Sequence, residues 1–126
     1  SITRATCEKF HANTELGYCG TYDCKGLLSG SCRDKRTGKE FIIKNKKVIF
    51  DLKTAFEAKE DYYYQLAAYS LFFESPPDYA MVICLHPYIE RNKNLVPRVY
   101  VLEQSEIIKY QKLFTKMVKN WWKENE

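Results

Sequence analysis

Hydrophobic residues in the first part of the chain come in short runs separated by polar turns, which is the pattern of successive β-strands. Gly17 and Gly20 predict a bend or bulge where the first strand gives way to the second. Because the connections are short, we expect an antiparallel meander. The first predicted strand ends at Leu16, and the others cover 21–28, 40–43 and 48–54, with turns at 29–38 and 44–47.

After Thr54 the spacing of the apolar residues changes from that of a strand to that of a helix. Asp61 is the predicted N-cap, and Pro76-Pro77 is expected to stop the helix. The apolar positions repeat at i, i+4, i+7 and i+11, so we expect them to form one buried helical face. They are Tyr62, Leu66, Tyr69 and Phe73.

The rest of the chain predicts two further strands and a second helix. The nearly unbroken apolar run 79–85 is typical of a buried central strand. Residues 95–102 predict a strand nearer an edge because it contains Pro97. Residues 88–94 are expected to be a charged loop, and the last helix begins at Ser105-Glu106.

The last helix carries two stripes of opposite character. An apolar stripe is expected to pack in the core; it consists of Ile107, Tyr110, Phe114, Met117 and Trp121. A basic stripe on the other side is expected to be a solvated face, and contact with backbone phosphates is the alternative. It consists of Lys109, Lys112, Lys116, Lys119 and Lys123.

Candidate chemistry lies at the end of the strand 48–54. Because residues i and i+2 of a strand point to the same face, Asp51 and Lys53 should stand side by side, with Leu52 turned the other way into a core. Such a pair suits metal-assisted hydrolysis, in which the acid holds the cation and the lysine activates water or neutralises phosphoryl charge. Alone, the pair is more often a solvated surface feature, so its meaning depends on what converges on it.

Two other segments can converge on this pair. Asp23 lies on the preceding strand, and two carboxylates on neighbouring strands can share Mg²⁺ or Mn²⁺, with the main-chain carbonyl of Leu52 as a further ligand. Gln65 and Tyr69 are i, i+4 neighbours on the helix and could reach the same edge together. Taken singly, Gln65 would be interpreted as an exposed amide on a helix and Tyr69 as a core aromatic.

These residues occur in an order that resembles the PD-(D/E)XK nuclease superfamily and, within it, the RecB-type exonuclease group. The resemblance covers about residues 15–85. It rests on Gly20-Thr21-Tyr22-Asp23 (GxxD), Asp51-Leu52-Lys53-Thr54 (DxK followed by Thr) and Gln65-Leu66-Ala67-Ala68-Tyr69 (QLxxY).

The resemblance implies an α/β fold of restriction-endonuclease-like type, with a mixed central sheet flanked by helices. It implies Mg²⁺- or Mn²⁺-dependent hydrolysis of DNA phosphodiester bonds. By resemblance, Asp23 and Asp51 are metal ligands, Lys53 is the catalytic lysine, and Gln65 and Tyr69 orient the site or touch the nucleic-acid backbone.

The chain departs from the family pattern at its beginning. Relatives commonly carry a His or Glu on a helix before the first strand, whereas His11 and Glu15 here sit on no convincing helix. We expect a single domain over 1–126, with that helical part removed or supplied elsewhere. An iron–sulfur cluster is not expected, because Cys84 is the last Cys and relatives use a late group of three.

Composition narrows the classes of partner. No apolar run is long enough for a membrane span and no signal peptide is evident, so we expect an intracellular protein that does not bind membranes. The net charge of +4 permits a polyanionic partner such as DNA. The five Cys are expected to be largely free thiols. A zinc site is not expected, since His11, Cys19, Cys24 and Cys32 lack a CxxC pair.

Three alternatives to a deoxyribonuclease stay open at this point. The first is a catalytically inactive nucleic-acid-binding module of the same fold. The second is an RNA-cleaving endonuclease. The third is an interaction domain in which Asp23, Asp51 and Lys53 are ordinary surface polar groups.

Overall fold

The computed structural model describes residues 2–85 and 97–125. Within these ranges, five strands form one sheet in the order β1-β2-β3-β4-β5. One helix lies between β3 and β4 along the chain, and a second helix follows β5. The strands are β1 Ile2–Asn13, β2 Tyr18–Arg33, β3 Glu40–Lys53, β4 Tyr79–Cys84 and β5 Arg98–Glu103. The helices are α1 Glu60–Ser70 and α2 Gln104–Glu124.

The sheet is mixed, which confirms the predicted α/β class. Strands β1, β2 and β3 pair antiparallel in sequence order, β3 pairs parallel with β4, and β4 pairs antiparallel with β5. A parallel pair needs a long crossover, and the segment that contains α1 supplies it. The prediction that β4 is buried and that β5 lies at an edge is confirmed by the strand order.

The first three strands are longer than predicted, because two of the predicted turns are not loops. Residues 44–47 lie inside β3, and β2 continues to Arg33, so only 34–39 connect these strands. The pairing skips at this point from Leu28↔Lys46 to Gly30↔Ile43. Asn45 has a positive φ of 52° there. The polar run 44–47 therefore marks an irregularity at which the β2–β3 hairpin bends while its two strands stay paired.

The tip of the β2–β3 hairpin covers the free edge of β5. Lys35 donates its backbone N–H to the Val99 carbonyl at 2.8 Å, and buried Asp34 accepts the Val101 N–H at 3.1 Å. Asp34 also accepts from the Arg36 N–H and the Thr37 hydroxyl. An unpaired edge strand is a template for association, and these contacts satisfy part of that edge within the chain.

Two hydrophobic clusters are formed, one on each side of the sheet. The cluster that includes both helices contains Tyr22, Ile49, Tyr63, Leu66, Ala80, Val82, Cys84, Tyr100, Leu102 and Ile107. The other contains Phe41, Ile43, Val48, Phe50, Met81 and Val101. Phe41 reaches the Tyr79 ring, with centroids 5.6 Å apart, because the bent hairpin returns over the sheet. Residues 48–51 of β3 and most of β4 are thereby buried on both faces, as continuous apolar runs require.

Helix α1 is shorter than predicted. Its N-cap is Lys59 rather than Asp61, which lies in the first turn, and it ends at Ser70, before Pro76-Pro77. The buried face also differs in phase, because Tyr63, Leu66, Ala67, Ala68 and Ser70 are buried while Tyr62 and Tyr69 are half-buried. The face of α1 that packs on the sheet is therefore narrower than the spacing of the aromatic residues suggested. Its side chains are also smaller.

Helix α2 begins one residue before the predicted start, with a capping box between Glu103 and Glu106. Ile107 is buried, and Phe114 packs edge-on against Tyr18. The prediction that Met117 and Trp121 belong to the core is wrong, since they are 53% and 55% exposed. Helix α2 is longer than α1, so its last turns extend beyond the elements that could cover both of its sides.

Two further expectations have different outcomes. Cys7 and Cys24, opposite each other on β1 and β2, form a disulfide, so the expectation of free thiols is wrong for this pair. Cys19, Cys32 and Cys84 are free. No helix in the two described ranges is long and apolar enough to cross a membrane. The predicted loop 88–94 and the start of the strand predicted at 95 lie outside the described residues.

The contact of Asp34 with β5 generates a stability prediction. Asp34→Ala should lower the free energy of unfolding by about 1–3 kcal/mol, because the buried Val101 N–H loses its acceptor. Asp61→Ala is the matched control, since Asp61 is exposed on the first turn of α1 and its loss should cost less than about 1 kcal/mol. Urea unfolding measures both, and equal losses would contradict a role of Asp34 in closing the edge.

Candidate active site

The end of β3 places an acid and a lysine together. Asp51 and Lys53 share one face of the strand, with Oδ2 of Asp51 3.0 Å from Nζ of Lys53. Asp51 is only 3% exposed. Its Oδ2 accepts no hydrogen bond of acceptable geometry within the described part of the chain, so the lysine pairs with it as a charge but leaves lone pairs open.

Asp23 meets the same edge from β2. Its Oδ2 accepts the backbone N–H of Leu52 at 2.8 Å, just beyond the last ladder pair, Cys24↔Phe50. Because the N–H and C=O of one strand residue point toward the same neighbouring strand, the Leu52 carbonyl is directed to the side on which Asp23 lies. The two carboxyls and this carbonyl therefore converge where β2 and β3 diverge.

The Asp51 carboxyl is harder to ionise than an ordinary aspartate. Its pKa is raised to about 6, mainly because the carboxyl is buried and also because the Asp23 carboxyl lies beside it, while Lys53 acts to lower it. Taking a charge out of water disfavours the ionised form, and a second acid close by has the same effect. The site therefore holds more negative charge than one lysine compensates.

A chain of hydrogen bonds fixes Lys53 from the other side. Nζ of Lys53 donates to Oε1 of Gln65 at 2.8 Å, and Nε2 of Gln65 donates to the Tyr69 hydroxyl at 2.9 Å. Burial raises the pKa of Tyr69, so its hydroxyl stays protonated at neutral pH. The i, i+4 spacing on α1 thus brings the Gln65 and Tyr69 side chains to the end of β3, which the sequence analysis expected them to reach.

Tyr62 belongs to the site although the sequence analysis assigned it to the core. The Lys53 ammonium lies 4.8 Å from the centre of the Tyr62 ring, at the distance of a cation–π contact. Tyr62 precedes Gln65 by three positions, so both lie on one side of α1. That spacing was the signal that could have indicated its position.

Gly20 is needed at this edge for a reason other than a bulge. A Cβ at this position would lie 2.8 Å from Cε1 of Tyr69, so only glycine lets the ring approach β2 so closely. The irregularities of the first two ladders lie elsewhere, between Thr3 and Thr6 and between Leu28 and Gly30. The glycine of the GxxD segment therefore makes room for the tyrosine of the QLxxY segment.

One expectation for this site is wrong, that for the Leu52 side chain, whereas His11 and Glu15 lie on no helix, as expected. The Leu52 side chain is 53% exposed rather than in a core, because the apolar cluster on that face ends at Phe50. His11 stacks between the rings of Tyr22 and Phe72, and Glu15 is exposed in the β1–β2 turn. Among the described residues, no group of three or more His, Cys, Asp or Glu side chains is arranged around one metal position.

The donor atoms nevertheless suit a divalent cation. A buried carboxylate oxygen without a hydrogen bond, a second carboxylate and a carbonyl oxygen are the hard ligands that Mg²⁺ and Mn²⁺ prefer, and Mg²⁺ keeps several waters in such sites. An open groove of about 570 Å³ lies beside Lys53 and is lined by 53–59 and Tyr62. A polymer backbone could approach Lys53 through it.

Comparison of the sequence with models of known protein families and with curated proteins gives no match. The arrangement of the side chains is therefore the basis for every functional statement that follows.

The raised pKa of Asp51 predicts a pH dependence of stability. A carboxyl whose pKa is about 6 in the folded chain and near 3.8 when unfolded binds protons more tightly in the folded state. Without divalent ions, stability should therefore fall as pH rises from about 4 to about 6 and then level off, by up to about 3 kcal/mol.

Asp51→Asn cannot ionise and serves as the comparison for this pH profile. The difference in unfolding free energy between parent and variant should change across the same interval, measured by urea unfolding in EDTA. Parallel profiles of the two proteins would contradict the burial of an ionisable Asp51.

A neighbouring pair on α1 separates site from core. Leu66→Ala should cost about 2–5 kcal/mol of stability, because Leu66 is fully buried between the helix and the sheet. Gln65→Ala should cost less and should free the Lys53 ammonium instead. Thermal unfolding and the side-chain mobility of Lys53, followed by NMR, measure the two effects. Similar melting of both variants would show that the assigned faces of α1 are wrong.

Proposed function

We propose that this chain is a Mg²⁺- or Mn²⁺-dependent nuclease of the PD-(D/E)XK superfamily, of RecB-type, that hydrolyses DNA phosphodiester bonds. The supporting observation is the connected cluster of Asp23, Asp51, Lys53, Gln65 and Tyr69 at one edge of the sheet. Three separate segments contribute to it, in the order that the superfamily pattern requires.

The fold supports the finer assignment without establishing it. In restriction-endonuclease-like domains a mixed sheet presents the acidic and basic residues at the end of a strand followed by a helix. Here β3 ends in Asp51-Leu52-Lys53, α1 follows it, and β4 returns parallel to β3. We include the restriction-endonuclease-like fold in the proposal for this reason.

Asp23, Asp51 and the Leu52 carbonyl are the groups that would hold the cation. When bound, such a cation supplies positive charge that lowers the pKa of a water and stabilises the charge on the phosphoryl oxygens. It would also satisfy the Asp51 oxygen that accepts no hydrogen bond in the described part of the chain. Asp51 would then stay ionised at a lower pH than in the metal-free protein.

Lys53 is the group that would meet the scissile phosphate. Asp51, Gln65 and the Tyr62 ring hold its ammonium in place. These contacts restrict the motion of the side chain and take the place of contacts with water. It stands at the groove beside 53–59, where it can orient the attacking water and offset negative charge on the phosphoryl group. Gln65 and Tyr69 act through Lys53 as positioning residues.

DNA is the polymer we propose, with an intracellular location. The net charge of +4 favours association with a polyanion but does not distinguish DNA from RNA. An RNA-cleaving endonuclease and a catalytically inactive nucleic-acid-binding module of the same fold are the alternatives. The intact set of Asp23, Asp51 and Lys53 favours an active enzyme over the second of these.

Three substitutions separate metal binding from chemistry. Asp51→Asn and Asp23→Asn should each abolish stabilisation by Mn²⁺ and lower cleavage by more than 100-fold, on the order of the loss of a group that acts on the transition state. Lys53→Met keeps the length of the stem and removes the charge. It should bind Mn²⁺ as well as the parent or more tightly, because a nearby like charge is gone, yet lose cleavage to a similar extent.

Calorimetric titration with Mn²⁺ and cleavage assays on single- and double-stranded DNA and on RNA measure these outcomes. Asp61→Asn is the control for a carboxylate outside the site. Full activity of Lys53→Met, or Mn²⁺ binding that ignores Asp51, would disprove the proposal. Metal binding without cleavage of any substrate would favour the inactive module.

A further inference from the structure

Another cavity, separate from the candidate site, lies between the sheet and the segment that connects α1 to β4. Its volume is about 500 Å³, which is within the range of small-molecule sites, about 300–1,000 Å³. It is lined by residues 25–27 of β2, 47–49 of β3 and 72–75 of the connecting segment, together with His11 and Pro77. None of the side chains assigned to the candidate site lines it. The cavity therefore has room for a ligand that the candidate site does not account for.

Hydrogen bonds hold the connecting segment at both ends of the cavity. At one end, the Asp78 N–H donates to the Lys47 carbonyl at 2.9 Å, and Oδ2 of Asp78 accepts the Lys47 N–H at 2.9 Å. At the other end, the Phe72 N–H donates to the Tyr69 carbonyl at 3.1 Å, so the chain turns tightly as it leaves α1. Because both ends are held, the cavity exists before a ligand enters, and little ordering is needed on binding.

Two lysines bring positive charge to the cavity. Lys25 is half-buried, and its Nζ lies 4.2 Å from the centre of the Phe73 ring, whereas Lys47 is exposed. Neither ammonium forms an ion pair with a carboxylate of the described residues. Among the described residues that line the cavity, Glu74 is the one acid, and it is exposed. Two lysines against one glutamate leave a positive charge that an anion would compensate.

The remaining surface of the cavity is largely apolar. Aliphatic groups come from Leu27, Ile49 and Pro77, and aromatic rings come from Phe72 and Phe73. A small inorganic anion would leave these groups uncovered, and a purely apolar ligand would cover the lysine ammonium groups without supplying a counter-charge. The lining therefore favours a ligand that joins a flat apolar part to an anionic group.

The cavity is next to the candidate site along both central strands. Lys25 pairs with Ile49 across β2 and β3. Asp23 follows two residues from Lys25 along β2, and Asp51 follows two residues from Ile49 along β3. At about 3.3 Å per residue, two residues of a strand span about 7 Å. Nucleotides follow one another at about 3.4 Å in a stacked strand and further apart in an extended one, so neighbouring nucleotides of one strand can occupy both places.

We propose that this cavity binds one unpaired nucleotide, with its phosphate against Lys25 and Lys47 and its base on the apolar surface. The nucleotide comes either free in solution or as the end of a nucleic-acid strand, and both sources present the same base and phosphate. The inference rests on the proposed function, because the adjoining nuclease site is what favours a nucleotide over other flat anions. A strand end in the cavity would place the scissile bond close to the terminus, as exonuclease-like action requires.

The test measures binding in EDTA, where no cleavage occurs, by following the backbone amide NMR signals of the parent protein. The probes are thymidine 5′-monophosphate, thymidine and inorganic phosphate. We expect the monophosphate to shift the signals of 25–27, 47–49 and 72–75. It should bind at least about 10-fold more tightly than thymidine or phosphate, because only the complete nucleotide uses both the lysines and the apolar surface.

Three substitutions change the cavity in different ways. Lys25→Met should weaken binding of the monophosphate about 10-fold, because a half-buried cation is lost. Lys47→Met should weaken it about 2- to 5-fold, because an exposed charge contributes less. Ser75→Trp fills the mouth of the cavity and keeps its charges. It should abolish binding with a nearly unchanged melting temperature, because Ser75 is exposed.

Matched controls remove the same charge elsewhere. Lys112→Met and Lys116→Met change exposed lysines of α2 that do not line the cavity, so both variants should bind the monophosphate as the parent does.

Competition separates the two sources of the nucleotide. Tetrathymidylates with a 5′-phosphate, a 3′-phosphate or two hydroxyl ends are added to the complex with the monophosphate. Displacement by a phosphorylated strand, and far less by the hydroxyl-ended one, would assign the cavity to a strand end and identify which end. No displacement by any of the three would assign it to the free mononucleotide.

Three outcomes would overturn the inference: inorganic phosphate or thymidine that binds as tightly as the monophosphate, shifted signals that lie away from the cavity, or an equal loss of binding in the α2 controls. These results are distinguishable from failure of the proposed function. A chain that binds the monophosphate in EDTA but never cuts with Mn²⁺ keeps the nucleotide cavity and loses the nuclease proposal. A chain that cuts but does not bind the monophosphate does the reverse.

Discussion

The burial of the Asp51 carboxylate beside the Lys53 ammonium is the constraint on which the rest of the site depends. A carboxylate that is 3% exposed cannot be hydrated, so its charge must be met by the protein or by a bound cation. Nζ of Lys53 approaches Oδ2 of Asp51 to 3.0 Å, but it donates its hydrogen bond to Gln65. Nearly every contact at this edge, from the Tyr69 hydroxyl to the Tyr62 ring, serves to hold that one ammonium in place.

The rigidity of this edge comes from the way the sheet is closed elsewhere. The β2–β3 hairpin bends at the irregularity between Leu28 and Gly30, and its tip bonds to β5 through Asp34 and Lys35. The apolar cluster enclosed by this bend covers one face of β3 and β4, while α1 and α2 cover the other. A strand packed on both faces cannot shift easily, so Asp51 and Lys53 keep their separation.

Local spacing predicted what depends on neighbours along the chain and missed what depends on distant contacts. The i, i+2 rule paired Asp51 with Lys53 and the i, i+4 rule paired Gln65 with Tyr69, whereas the mixed sheet was implied by the family resemblance. The prediction of a turn at 44–47 was wrong, because a polar run in a paired strand has the same composition as a turn. Only its pairing with a distant strand distinguishes the two. The prediction that Met117 and Trp121 lie in the core was wrong. Periodicity identifies an apolar stripe, but it does not show whether a helix extends beyond the elements that cover it. The Cys7–Cys24 disulfide required the register of β1 and β2, which spacing alone does not supply.

Charge arithmetic at the sheet edge gives a reason for the combination of two acids and one lysine. At neutral pH Asp23, Asp51 and Lys53 together carry one negative charge, which would repel a phosphodiester. The divalent cation that we propose would change that sum to one positive charge, which a phosphodiester would neutralise. Without Lys53 the loaded site would be neutral, and without either Asp the lysine and cation would repel each other more strongly. If the proposed function is right, these charges would favour binding of the cation first and of the phosphate second.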